Sequence, residues 1–69
     1  MSDNTASAKK KIEGHRAHIR THIEKYKRYR EDYEKQNMVK QIQNAQHQIS
    51  DLRRKHPSIS GSDEDTWRP

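Results

Sequence analysis

Between residues 9 and 34, Ile12, Ile19, Tyr26 and Tyr33 recur every seven positions, with His15, His22 and Tyr29 interleaved three positions on. A repeat of seven split three and four is the a/d spacing of a helix that lays one narrow stripe against another helix. Its a column is aliphatic and aromatic, and its d column is imidazole and phenol. Between the seam positions stand Arg16, Arg20, Lys25, Lys27, Arg28 and Arg30. The pattern therefore predicts a long helix that is basic around most of its circumference.

The repeat loses phase after Tyr33. The next apolar set is Met38, Ile42, Ala45, Ile49 and Leu52, and the step from Tyr33 to Ile42 is nine residues rather than seven. Two architectures accommodate such a break: one helix with a stutter, or two helices folded back on each other. The second is preferred, because each segment alone carries a one-sided stripe. The expected fold is all-α, an antiparallel hairpin with helices at about 8–35 and 38–55, turning near Gln36 with Asn37 as the local helix breaker. Pairs at i and i+4 (Glu24 with Arg28, Lys27 with Glu31, Arg28 with Asp32, Glu31 with Lys35) support the first helix, each by about 0.2–0.5 kcal/mol. Gly14 is read as the effective start of that helix, with residues 9–13 fraying, rather than as a point of close backbone approach. Pro57 ends the second helix.

The flanks differ in composition. Residues 1–8 read as a frayed arm with Ser7 as N-cap, and residues 57–69 as a flexible acidic tail carrying Asp63, Glu64 and Asp65. Ser62, followed by three acids, and Ser60 match the substrate pattern of an acid-directed kinase. The hairpin is expected to gather Arg16, Arg20, Arg53, Arg54 and Lys55 at one pole, where the acidic tail folds back as an internal competitor for anions.

Composition enters at the question of a core. The chain has 69 residues, 26% of them hydrophobic and 36% charged. Two thin stripes of this kind are expected to need a partner, so the hairpin is read as oligomerising into a helical bundle through Ile19, Ile23, Tyr26, Tyr33, Ile42, Ile49 and Leu52. His15 and His22 on that seam would make association sensitive to pH.

Charge points to the function class. Residues 9–56 hold fourteen Lys and Arg against six acids, whereas the whole chain nets +5. A helical element this basic favours polyanions, and nucleic acid first among them. The expected contacts are Lys9, Lys10, Lys11, Arg16, Arg20, Lys27, Arg30, Arg53 and Arg54, reading backbone charge and shape rather than base sequence. The alternative is a non-catalytic assembly or adaptor module, homo-oligomerising or holding another protein, as the N-terminal part of a larger one. Gln41, Gln43, Gln46, Gln48 and Asn44 read as a solvated neutral face.

Other classes find little support. No Gly-rich phosphate loop, no nucleophile with an orienting base and no carboxylate pair set in a cleft is evident, so the chain is read as a non-enzyme. His18 and His22 stand at the i, i+4 spacing that holds a metal bidentately, but no further ligand is evident, so neither a metal nor any other cofactor is expected. The absence of cysteine leaves the redox compartment open, but without a signal-peptide core or an apolar run of membrane length the expected setting is intracellular, cytoplasmic or nuclear, with no membrane contact.

Overall fold

A computed structural model describes residues 4–69. It contains two long helices and no strand among those residues: α1 (Asn4–Arg28) and α2 (Asp32–Lys55), followed by a short 3-10 turn at Asp63–Thr66. The helices form an antiparallel hairpin, as the two stripes require. At the open end, the Thr5 hydroxyl and His56 Nδ1 share a hydrogen bond of 3.3 Å. At the closed end, Lys35 Nζ stands 5.6 Å from the centre of the Tyr26 ring. That register sets Ile12 level with Ile49 and Ile19 level with Ile42, and all four are fully buried.

The boundaries correct the expected ones. The chain turns at Tyr29–Glu31, about six residues before Gln36, and Asn37 lies inside α2. Charge explains the position. The last turn of α1 carries Lys25, Lys27 and Arg28, and the first turn of α2 carries Asp32 and Glu34. Cations at a helix C-terminus and anions at an N-terminus both complement the macrodipole. Glu31 enters α2 in an extended conformation (φ −78°, ψ 134°), and no described residue has positive φ, so the turn needs no glycine. The helix interruption also separates the partners of two of the four anticipated i, i+4 pairs, Lys27 with Glu31 and Arg28 with Asp32. Tyr33, assigned to the first seam, instead lies on the outside of the first turn of α2 and is 73% exposed.

At the other end, α1 begins at Asn4, so Thr5 and Ser7 lie within the helix and Ala8 is buried. Of the expected frayed arm, residues 1–3 lie outside the described residues. Gly14 does not mark the helix start: α1 runs unbroken through it, and a Cβ there would meet nothing within 4 Å. A helix-interior glycine with open space around it has only its backbone cost. Gly14→Ala is expected to stabilise the fold by about 0.5–1 kcal/mol, read as a higher urea midpoint.

The largest departure is the tail. Residues 56–69 pack back along the hairpin rather than trailing from it. Ile59 is 4% exposed and joins the core formed by Ala8, Ile12, Ile19, Ile42, Ala45 and Ile49, with Ile23, Leu52 and Trp67 at its margin. Trp67 meets Tyr26 edge to face, ring centres 5.5 Å apart. The apolar stripes thus find their partners inside one chain. Ile19, Ile42 and Ile49, assigned to an interface between copies, are core residues of the monomer.

Candidate functional site

Each helix buries two adjacent stripes. One faces the other helix, and the second, one position round, faces the tail. On α1 the second stripe places Arg16 between Ile12 and Ile19; on α2 it places Gln46 between Ile42 and Ile49. Both are buried, and both serve the tail.

Arg16 Nε and Nη2 donate to the two carboxylate oxygens of Asp65 at 3.1 and 2.9 Å, a fork-on-fork pair. Nη2 also donates to the Ser60 carbonyl at 2.8 Å, and Nη1 to Glu13 at 3.2 Å. The Arg16 and Asp65 side chains are 9% and 6% exposed. The hydrogen bond to Asp65 raises the Arg16 guanidinium above the ordinary arginine value, against the opposing effect of burial. Arg53 approaches Asp65 at 3.7 Å, and its Nε donates to the Ile59 carbonyl at 3.3 Å. Arg20 reaches Glu64 at 3.1 Å in a half-exposed pair. Gln46 Nε2 donates to the carbonyls of Glu64 and Trp67 at 2.9 and 3.0 Å, while its Oε1 accepts from Arg68 at 3.0 Å. Within the tail, the Ser62 amide donates to Asp65 and its hydroxyl to Glu64.

The five cations expected at one pole are not gathered there: Arg16 and Arg53 both reach Asp65, Arg20 pairs with Glu64, and Arg54 pairs with Asp51. With the turn at Tyr29–Glu31, Arg20 lies level with Gln41 rather than with Arg53. Asp65, arriving from the tail, is what joins Arg16 to Arg53. Three of the nine cations proposed for anion contact are thereby committed inside the molecule. The sequence reading missed Gln46 and Ile59. Gln46 was legible, since it stands four after Ile42 and three before Ile49 on an otherwise apolar line. Ile59 was a single aliphatic among serines and carried no periodicity.

The other six cations lie at the surface: Lys9, Lys10, Lys11, Lys27, Arg30 and Arg54. In the antiparallel register, Lys9, Lys10 and Lys11 stand near the end of α2 that bears Arg54 and Lys55. Asp51 lies beside them, 3.8 Å from Arg54 in an exposed pair, and Glu13 stands one turn on from Lys9. Lys27 and Arg30 belong to the opposite pole, with Lys25 and Arg28. Of the interface set, Ile23 and Leu52 are half-buried against the monomer core, and Tyr26 is half-buried beside Trp67.

His15 and His18 occupy the face that the tail leaves open. A groove there is lined by Gly14, His15, His18, Gln41, Asn44, Ala45 and Gln48. The rings of His18 and His22 lie 3.9 Å apart, tilted by 40°. His18 is held below the ordinary histidine value, chiefly by the water its ring loses and then by the neighbouring His22, His15 and Lys25. A histidine depressed in the folded state protonates first in the unfolded chain. Its effect is therefore destabilising as pH falls through the ordinary histidine value near 6.5.

No helix among the described residues is long and apolar enough to cross a membrane. Comparison of the chain with protein-family models, with curated proteins and with solved structures finds no match.

Proposed function

We propose that this chain is a small, non-catalytic helical module that binds nucleic acid through phosphate charge, using the cations that the tail does not engage. The observation that carries this reading is the open pole of the hairpin. Lys9, Lys10, Lys11, Arg54 and Lys55 are all exposed there, with Asp51 and Glu13 as the nearby acids among the described residues. Lys27 and Arg30, with Lys25 and Arg28, stand at the turn among Glu24, Glu31, Asp32 and Glu34, so the open pole is the more cationic end. Lysine clusters on a helical surface give charge contacts without a base-reading element, which fits affinity without sequence preference.

The test is anisotropy titration of labelled random RNA and DNA across a salt series. Four or five phosphates neutralised at one pole give a log–log slope of about −3 to −4.5, at roughly 0.7 to 0.9 per phosphate. Replacing Lys9, Lys10 and Lys11 by glutamate together should flatten that slope by about 2 to 3 and weaken binding to every sequence alike. A slope near zero in the unaltered chain would rule the reading out.

The rival reading, an assembly or adaptor module, rests on a different feature. Tyr33 is 73% exposed beside Gln36, Asn37 and Lys40, a shallow surface at the turn pole. Sedimentation equilibrium distinguishes them: self-association abolished by Tyr33→Ser, with no nucleic-acid binding, favours the adaptor.

A further inference from the structure

We propose that His18 and His22 form a bidentate site for a late first-row transition-metal dication, copper(II) foremost, on the hairpin face opposite the tail. The inference is independent of nucleic-acid binding.

Three features carry it. Side chains four apart on a helix share one face, and the two rings are already in contact, 3.9 Å between centres. His22 is also locked in the tautomer that a metal requires. Its Nδ1–H donates to the His18 carbonyl at 2.9 Å, which in the neutral ring leaves the lone pair on Nε2. Ligating histidines are held by this same kind of hydrogen bond from the second ring nitrogen to a carbonyl, because it fixes ring orientation before the ion arrives. Finally, the site has room. His18 is exposed and lines the open groove with Gln41, Asn44 and Gln48, and Gly14, one turn earlier on the same face, places no side chain over it.

The donor set limits the ion. Two imidazoles suit copper, nickel and zinc, whereas a hard ion such as magnesium or calcium needs oxygen ligands. No group of three metal-ligating side chains converges among the described residues, so the remaining positions fall to water. Such an open, two-ligand site binds copper(II) most tightly, with nickel(II) and zinc(II) weaker.

Calorimetric titration of the full chain with copper(II) at neutral pH, in a weakly competing buffer, is expected to give one dominant site. His18→Gln or His22→Gln should each weaken it at least about tenfold, since either change removes one of two ligands. His47→Gln, on the outer surface of α2, should leave it intact. Copper should also raise the melting temperature of the unaltered chain but not of the two variants, because the ion binds the folded helix. Nickel(II) provides a readout that needs no substitution, by broadening the imidazole proton resonances of His18 and His22 before those of His47 and His56. Equal broadening of all histidines, or variants that bind copper as well as the unaltered chain, would overturn the proposal.

Discussion

Asp65→Ala is expected to destabilise the fold by about 3–5 kcal/mol, the largest effect of any single polar substitution in the chain. Asp65 is the acceptor for both forks of Arg16, for the Ser62 amide and for the approach of Arg53. Removing it leaves the Arg16 guanidinium buried between Ile12 and Ile19, with Glu13 and one carbonyl as its remaining partners. A charge left without its partner at such a site loses far more than an exposed pair would supply, and exposed pairs contribute about 0–1 kcal/mol. Glu64→Ala provides that contrast. It breaks the half-exposed pair with Arg20 and is expected to change stability by under about 1 kcal/mol. Urea denaturation followed by circular dichroism measures both. The pair Arg16→Met with Asp65→Leu tests the cause: if an unpaired charge is the problem, removing both charges restores most of the lost stability. A loss below about 1 kcal/mol for Asp65→Ala would mean that water reaches Arg16 freely.

Those contacts explain why the hairpin was legible in the sequence and its closure was not. Periodicity identifies stripes, and Ile12, Ile19, Ile42 and Ile49 are spaced so that two helices must face each other. The turn was legible through a different signal from the one followed. The phase break ending at Asn37 reports where the second stripe resumes, several residues after the chain has reversed. The reversal of charge from Lys25, Lys27 and Arg28 to Glu31, Asp32 and Glu34 marks the helix ends themselves. The tail lacks both signals. Its hold on the helices comes from one isoleucine, one tryptophan, one carboxylate and backbone carbonyls reached by Gln46, and none of these recurs with a period. A composition rich in serine and acid reads as solvated because it says nothing about complementary groups fifty residues away.

The same complementarity changes which cations are offered to a partner. By density along the sequence, Arg16 and Arg20 are the centre of the basic stretch. In the fold they face the tail acids, and the exposed positive charge lies chiefly at the open pole. A charge-reversal scan should therefore separate two groups. Arg16→Glu should act on stability, whereas changes at Lys9, Lys10, Lys11 and Arg54 should act on binding alone.

Deleting residues 58–69 is expected to remove most of the stability of the fold rather than simply free an anion site. If the tail were only a competitor, truncation would tighten polyanion binding by releasing Arg16, Arg20 and Arg53 while leaving the helices intact. Its packing argues otherwise. Truncation removes Ile59, whose burial contributes about 1.5–3 kcal/mol, together with Trp67 from Tyr26 and the acceptors of Arg16 and Gln46. It also uncovers one flank of Ile12, Ile19, Ile42 and Ile49. A chain of this length has a net stability of roughly 3–10 kcal/mol, so these losses are of the same order as the whole. Two results are expected together: helical ellipticity at low micromolar concentration falls, and what helix remains depends on protein concentration, since a second copy can cover the exposed flank. Adding a peptide of residues 57–69 in trans should restore helicity and reverse the association. The substitution Ile59→Asp in the full chain should reproduce the loss of helicity while every tail acid stays in place. A truncated chain that remains fully helical and monomeric, and binds polyanion more tightly, would assign the tail to competition and leave the two-helix core self-sufficient.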